Sequence, residues 1–366
     1  MRVALDARYL KRPDVGISVY LRGVIADLAD AGVDLTLLSD EPDHARELAT
    51  AHRTRAVALP CRSGFLWEQV RLPRWLRRNR PDAFIAGANY GLPLVGGAGM
   101  RILIVYDLIP LRLPRLYAGQ GPGWIAKYLL SVGISLLAAD AIIAPSEATA
   151  RDLRRLGRRR VHVRPPDLEA PDGAPAEAEP PAGWPDRYVL YNGGRDPRKN
   201  VPRLIEAFAA YRHAGGDHHL VLMGRGYEEY DPLLQRLGVA DAAFLPGFVA
   251  DDVKGRGLAA AAAVAYPSRW EGYGLPLVEA FAAGVPVLAG RGGSQVEVGG
   301  DAAIYVDVDD ADAIADGIRR AVAPASRRRA REAGPRRLRE LRDASGPDPL
   351  VGLLAQPDVR ERRVPR

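Results

Sequence analysis

Pro267-Ser268-Arg269-Trp270-Glu271-Gly272-Tyr273-Gly274-Leu275-Pro276-Leu277-Val278-Glu279 reads as the junction between a buried strand and a helix. The run before it, Ala259 to Ala265, is apolar and is closed by Pro267. Pro276 suits the first turn of a helix, where a missing N–H costs nothing. The spacing predicts a helix over about Leu275 to Ala283, stopped at Gly284. Gly272 and Gly274 would let a ligand approach the first helical N–H groups, and the positive end of the helix dipole behind them suits an anion. A strand, a glycine-bearing turn and an anion-facing helix start are the building unit of a doubly wound α/β domain.

The same stretch carries two carboxylates, Glu271 over the helix start and Glu279 one to two turns inside it. If every step between them were helical they would lie about 12 Å apart at 1.5 Å per residue. A glycosidase acid and base pair needs roughly 5 to 9.5 Å. Two carboxylates at different depths better suit hydroxyls on two parts of one elongated ligand. The plainer reading, a capping Glu271 and a solvated Glu279, stays open on these residues alone.

Outward from the junction, strand-like runs alternate with helical patterns along most of the chain, which argues for parallel sheets covered on both faces. In the first half Val3 to Asp6, Leu35 to Ser39, Ala83 to Gly87, Ile102 to Tyr106 and Ala141 to Pro145 read as strands, with helices over Val19 to Ala29 and Tyr128 to Ala138. A second series runs through Tyr188 to Tyr191, Leu220 to Met223, Ala243 to Pro246, Val264 to Tyr266, Pro286 to Ala289 and Ala303 to Val306. Between them, Pro165 to Asp186 is rich in Pro, Ala and Glu and reads as linker. The expected organisation is a domain over 1–165, a linker over 166–186, a second domain over 187–323 and an Arg-rich tail over 324–366 that crosses back to the first domain.

A chain of 366 residues is comfortable as two such domains. Its single cysteine, Cys61, excludes an intramolecular disulfide framework. No signal-peptide layout and no uncharged apolar run near 18 residues is present, so a cytoplasmic protein is expected. The net charge of +6 equals the balance from Pro324 onward, twelve Arg against six Asp and Glu. That is a solvated basic helix and tail more readily than a nucleic-acid surface, since no recognition motif accompanies it. Arg71-Leu72-Pro73-Arg74-Trp75-Leu76-Arg77-Arg78-Asn79-Arg80 mixes Trp and Leu with Arg as interfacial helices do, which raises peripheral contact with the inner face of a membrane.

Lysine occurs only at Lys11, Lys127, Lys199 and Lys254. Lys199 falls in Gly193-Gly194-Arg195-Asp196-Pro197-Arg198-Lys199-Asn200-Val201, between a strand and the amphipathic helix Val201 to Tyr211. Two adjacent cations at a helix start can neutralise a diphosphate that gains charge as its sugar departs, although exposed loop charges are the bland alternative. Asp307-Val308-Asp309-Asp310 imitates a metal-binding Asp-x-Asp but stands before a helix, where N-capping explains it better. His218 and His219 have no partner at ligand spacing and read as surface residues.

The Glu271 to Glu279 segment closely resembles the Glu-x7-Glu signature of the retaining glycosyltransferases of family 4, and the likeness extends from Met1 to about Arg320. The resemblance implies the GT-B fold, two facing Rossmann-like doubly wound domains with a cleft between them, and transfer of a hexose from a nucleoside diphosphate sugar to an acceptor hydroxyl. It assigns donor-sugar hydroxyls to Glu271, the nucleotide ribose to Glu279, and sugar and diphosphate contacts to the backbone of Gly272, Tyr273, Gly274 and Leu275. Arg198 and Lys199 inherit the diphosphate. Gly194 stands where many relatives carry Arg, leaving Arg198 or Arg195 to compensate. Gly224 and the pair Phe248 and Val249 follow strands where the family binds the base. Gly16, in a loop after the first strand, would lie near the donor phosphate. Tyr106 stands among the donor-binding residues, in place of the family's His that positions the donor sugar, beside Asp107, which would orient an acceptor hydroxyl or complement developing positive charge; capping the following turn is the alternative for Asp107. Asn89-Tyr90-Gly91-Leu92-Pro93 would line the acceptor side.

A metal-free site without a cofactor is implied, with cations and helix dipole in place of Mg2+. GDP-mannose is the first expectation for the donor, with UDP- and dTDP-sugars open, and a sugar, lipid-linked or small-molecule acceptor in cell-surface polysaccharide or glycolipid assembly. A sugar phosphorylase, a nucleotide-sugar epimerase or a non-catalytic nucleotide-sugar-binding adaptor are the alternatives.

Overall fold

A computed structural model describes residues 1–11, 16–168 and 178–356. The chain forms two compact units. One comprises Met1–Asp167 with the chain from Ser345 onward, and the other Leu168–Ala344.

The first unit is built on seven parallel strands, β1 (Arg2–Asp6), β2 (Asp34–Ser39), β3 (Arg55–Ala58), β4 (Ala83–Ala86), β5 (Met100–Ile104), β6 (Ala141–Ala144) and β7 (Val161–Val163). Their order is β3-β2-β1-β4-β5-β6-β7. Central strands such as β4, Ala-Phe-Ile-Ala, are buried at every position because helices cover both faces, so they carry no polar alternation. The second unit has β8 (Tyr188–Tyr191), β9 (His219–Met223), β10 (Ala243–Gly247), β11 (Ala263–Tyr266), β12 (Val287–Ala289) and β13 (Ile304–Tyr305), ordered β10-β9-β8-β11-β12-β13. In each sheet the strand order reverses once, between β1 and β4 and between β8 and β11. Ligands of such sheets lie beyond the carboxyl ends of the strands at that switch point.

Several boundaries move. Residues 178–186 belong to the second unit, because Trp184 packs on Tyr188 and Phe244 at ring separations of 5.7 and 5.8 Å. The rest of the expected linker, 169–177, lies outside the described residues. The Arg-rich segment divides. The helix Pro324–Ala344 belongs to the second unit and buries Ala330, Ala333, Gly334, Pro335 and Leu338. The helix Pro349–Ala355 belongs to the first and buries Leu350, Leu353 and Leu354 in that unit's core. It is held by Asp348, which caps it through Leu350 N at 2.6 Å and pairs with buried Arg164 at 2.5 Å.

The basic stretch 71–80 is also recast. Its helix, Leu72–Asn79, turns Leu72 and Leu76 into the core and leaves Arg74, Arg77 and Arg78 outside. Its leucines are therefore not available to a lipid surface. No helix among the described residues is long and apolar enough to cross a membrane. His218 is buried rather than at the surface, its Nδ1 2.6 Å from the Tyr211 hydroxyl.

Gly334 lets the long basic helix sit against the helix Leu275–Ala282, since an added Cβ would stand 2.7 Å from the Phe281 carbonyl oxygen. Gly334→Val should destabilise the second unit by about 1–3 kcal/mol, the usual cost of overpacking. Chemical denaturation measures it, and an unchanged midpoint would refute the close packing.

Candidate functional site

The loops after β8 and β11, the strands flanking the second unit's switch point, carry the Arg198–Lys199 and Glu271 segments, and the structure joins them. A short 3-10 turn, Pro197–Lys199, is capped by Asp196, whose side chain accepts from Arg198 N, and Asn200 follows at φ +64°. Asn200 Nδ2 donates to the Val308 carbonyl at 2.7 Å, and Arg269 N to the Arg198 carbonyl at 2.8 Å, which locks the loops together.

The two cations then close on one carboxylate. Arg198 Nη1 lies 2.5 Å from Glu271 Oε2, and Lys199 Nζ 2.9 Å from Glu271 Oε1. Lys199 also donates to the Tyr266 hydroxyl and lies 4.6 Å from that ring's centre. Burial pushes the Glu271 carboxyl up, but Lys199 and Arg198 outweigh it and hold it at about 2. Burial depresses the Lys199 ammonium to about 8 against the pull of Glu271, and Arg198 lowers it further. Removing one member of such a buried set exposes the others to an uncompensated charge.

The helix Leu275–Ala282 begins at Gly274, φ +103°, with no side chain capping it, so its dipole end is left open. Glycines shape the loop that supports it. A Cβ on Gly292 would fall 1.8 Å from the Arg269 carbonyl oxygen and one on Gly293 2.1 Å from that of Glu271. Ser294 Oγ completes the clamp, its one proton lying between the carbonyls of Tyr273 at 2.7 Å and Glu271 at 3.1 Å.

Glu279 is not merely solvated. Its Oε2 accepts from Asn192 Nδ2 at 2.8 Å and its Oε1 from Lys254 Nζ at 2.6 Å. Asn192 Oδ1 beside it is buried without a hydrogen-bond partner among the described residues, which invites a donor such as a hydroxyl. Asn192 and Lys254 were missed in the sequence reading. Their signals were slight: Asn192 directly follows a strand, and Lys254 is one of four lysines.

The remaining candidates scatter. Gly194, φ +78°, stands beside the Glu271 cluster's loop and donates its N–H to the Tyr227 hydroxyl at 3.0 Å. Arg195 does not compensate there, because its partners are Glu229 at 2.5 Å and the Arg225 carbonyl at 3.1 Å, not Glu271. Gly224, φ +139°, bonds to the Gly247 carbonyl, Phe248 is 51% exposed with Arg225 stacked on it at 4.7 Å, and Val249 is half-buried. In the first unit Gly16 opens the helix Gly16–Asp30, and residues 12–15 before it lie outside the described residues. Asp107 Oδ1 accepts from Ile109 N at 3.1 Å and so caps the next turn. Tyr106 is withdrawn from donor binding. Its ring is buried edge-on against Tyr20 at 5.3 Å and its hydroxyl donates to the Gly87 carbonyl at 3.1 Å. A phenol with its only proton committed to a core carbonyl has none to offer a sugar. Asp310 caps the helix Ala311–Ala321 through Asp312 N, and Asp307 accepts from Asp309 N.

Both units resemble known proteins. Residues 178–337 match the family model described as glycosyl transferases group 1, and residues 15–166 the model for glycosyltransferase family 4. The O-antigen chain mannosyltransferase B of Escherichia coli is 28% identical over 345 residues, covering 86% of this chain and 88% of that one. The MMP alpha-(1->4)-mannosyltransferase of Mycolicibacterium hassiacum is 31% identical over 116 residues, 31% of this chain and 28% of that one. Among solved structures, WaaG, a glycosyltransferase involved in lipopolysaccharide biosynthesis, superposes with a TM-score of 0.70 at 17% identity, covering 97% of this chain and all of the other. The Anabaena protein HepE with UDP and glucose gives 0.69 at 17% identity over 94% and 98%. These likenesses show the GT-B fold.

Proposed function

We propose that this chain, which belongs to the family 4 glycosyltransferases of GT-B fold, moves a mannose from a nucleoside diphosphate, GDP in the first instance, to a glycan hydroxyl with retention of anomeric configuration. The observation that carries the reading is the Glu271 carboxylate held between Arg198 and Lys199 at the switch point, beside an uncapped helix start. The hard step is leaving-group departure, in which an oxocarbenium-like centre and a diphosphate gain charge together. Arg198, Lys199 and the N–H groups at Gly274 and Leu275 are preorganised donors for that negative charge. A carboxyl held at about 2 stays ionised at neutral pH, so Glu271 serves as hydrogen-bond acceptor for sugar hydroxyls rather than as general acid. Glu279, fixed by Asn192 and Lys254, accepts from the ribose. The two mannosyltransferase relatives support the sugar, and a polysaccharide of the cell surface is the corresponding product class. The site works without a metal in this reading, its cations taking that role.

A thermal-shift panel of nucleotides followed by turnover assays tests it. GDP and GDP-mannose at about 100 times their Kd should stabilise by about 2.7 kcal/mol. Stabilisation by UDP alone would overturn the donor assignment, and absence of turnover with every donor and acceptor would overturn the transferase reading. Glu279→Ala should weaken nucleotide affinity by about 1.5–3 kcal/mol, the worth of a hydrogen bond to a charged group, and by more than Glu271→Ala does. Equal affinities in calorimetry would refute the division of labour.

A further inference from the structure

Three buried tyrosines lie against the loop that carries Arg198 and Lys199. Tyr191 ends β8, Tyr266 ends β11, and Tyr227 opens the 3-10 turn Tyr227–Tyr230 after β9. All three are at most 1% exposed. Their rings form one layer: Tyr266 stacks on Tyr191 with centres 6.2 Å apart, and Tyr191 meets Tyr227 edge-on at 6.0 Å. Phenylalanine would fill the same space without burying a hydroxyl, which is costly unless the hydroxyl finds a partner. Packing therefore accounts for the rings and not for the oxygens.

Every one of those hydroxyls is spent on the same loop. Tyr191 donates to the Gly194 carbonyl at 2.6 Å and Tyr227 accepts from the Gly194 N–H at 3.0 Å, so this residue, at φ +78°, is held by both backbone groups. Gly193 rests directly on the layer, since an added Cβ would stand 2.5 Å from the Tyr266 ring and 2.6 Å from the Tyr191 hydroxyl oxygen. Tyr266 accepts from the Lys199 ammonium, which lies 4.6 Å from the centre of its ring. An ammonium has three protons. Tyr266 takes one and Glu271 a second at 2.9 Å, which aims the third. Burial and the Glu271 carboxylate push the Tyr266 phenol well above its ordinary range, so it stays a neutral hydroxyl beside the cation. A hydrogen bond accepted from the charged form of a buried amine favours that form.

We propose that Tyr266 is a positioning residue for the transfer, its hydroxyl aiming the Lys199 ammonium at the departing diphosphate, while Tyr191 and Tyr227 preset the backbone of the same loop through Gly194. Tyr266 acts through Lys199 and touches no reacting atom. The proposal rests on the transferase reading for the diphosphate, and on the hydrogen bonds alone for the aim of Lys199.

Tyr266→Phe keeps the ring and removes the acceptor. It should lower kcat about tenfold or more, the worth of one hydrogen bond to a charged group, while the donor KM changes far less. The pH above which GDP binding weakens, set by Lys199 at about 8 in the intact protein, should fall by about one pH unit once the acceptor is gone. UDP serves as the probe where GDP does not bind. On a Lys199→Arg background, whose guanidinium does not titrate in this range, the same replacement should leave the profile flat and cost less than about threefold. An unmoved pH break with unchanged kcat, or equal losses on both backgrounds, would overturn the role of Tyr266. Hydrogen exchange reads the loop without any turnover: Tyr227→Phe should speed exchange of the Gly194 amide about two- to tenfold, the worth of a neutral hydrogen bond. Exchange at the wild-type rate would overturn the presetting of Gly194. If no donor is turned over but Tyr266→Phe still moves the pH break of nucleotide binding, the aim of Lys199 stands and the transferase reading falls. Turnover with a kcat indifferent to Tyr266→Phe does the reverse.

Discussion

Lys199→Ala should lower kcat/KM by about a hundred- to a thousandfold, the usual consequence of deleting one preorganised donor to a developing anion. The loss should fall mainly on kcat, because the cation meets most charge once the sugar–phosphate bond has stretched. A pH dependence accompanies it. Burial holds the Lys199 ammonium at about 8, below its ordinary 10.5. Below that pH the free protein already carries the charge that a nucleoside diphosphate needs. Above it, binding must first return a proton, so the Kd for GDP should rise towards tenfold per pH unit. Lys199→Arg keeps the charge throughout and should flatten the profile. Calorimetry between pH 7 and 9.5 in buffers of different ionisation enthalpy checks both the affinity and the proton uptake. An unchanging wild-type Kd with no proton uptake would refute the role.

Glu271→Ala should destabilise the second unit by about 3–5 kcal/mol, because it leaves Arg198 and Lys199 facing each other without their carboxylate in a buried loop. Activity should be lost with it. The melting temperature should nevertheless recover in part when inorganic pyrophosphate or GDP is added, since a bound anion takes the place of the missing charge and stabilises by mass action. A variant that melts like wild type would show that the ion set is not under the strain of burial. A variant that melts low and ignores both anions would show that the cations do not face the diphosphate.

The motif was legible because its signals are local. Apolar Ala263–Tyr266, the glycine at 274, Pro276 in the first turn and Gly284 after the helix, φ +61°, each act within a few residues, and the observed helix Leu275–Ala282 falls within one residue of the expected span. The edge strands β3 and β7 escaped notice because they are short, half-exposed and carry Arg55 and His162, so no apolar run marks them. Trp184 lay in a Pro- and Ala-rich stretch whose composition says linker, yet one aromatic side chain on Tyr188 and Phe244 is enough to anchor it. Leu350, Leu353 and Leu354 make a helix too short to stand out from the Arg-rich segment around it.

By itself the sequence determined the two α/β units, the strand-to-helix junction at Glu271 and the presence of two cations at 198 and 199, since periodicity and turn chemistry depend on neighbours along the chain. Only the tertiary structure decided what those groups do to one another. Glu271 meets Lys199 across 72 residues, Glu279 meets Asn192 across 87, and Tyr106 spends its hydroxyl on Gly87 because of how β4 and its neighbours stack. Charge state, burial and hydrogen-bond partner are sums over everything within a few ångströms, and in a parallel sheet those neighbours come from strands far apart in sequence.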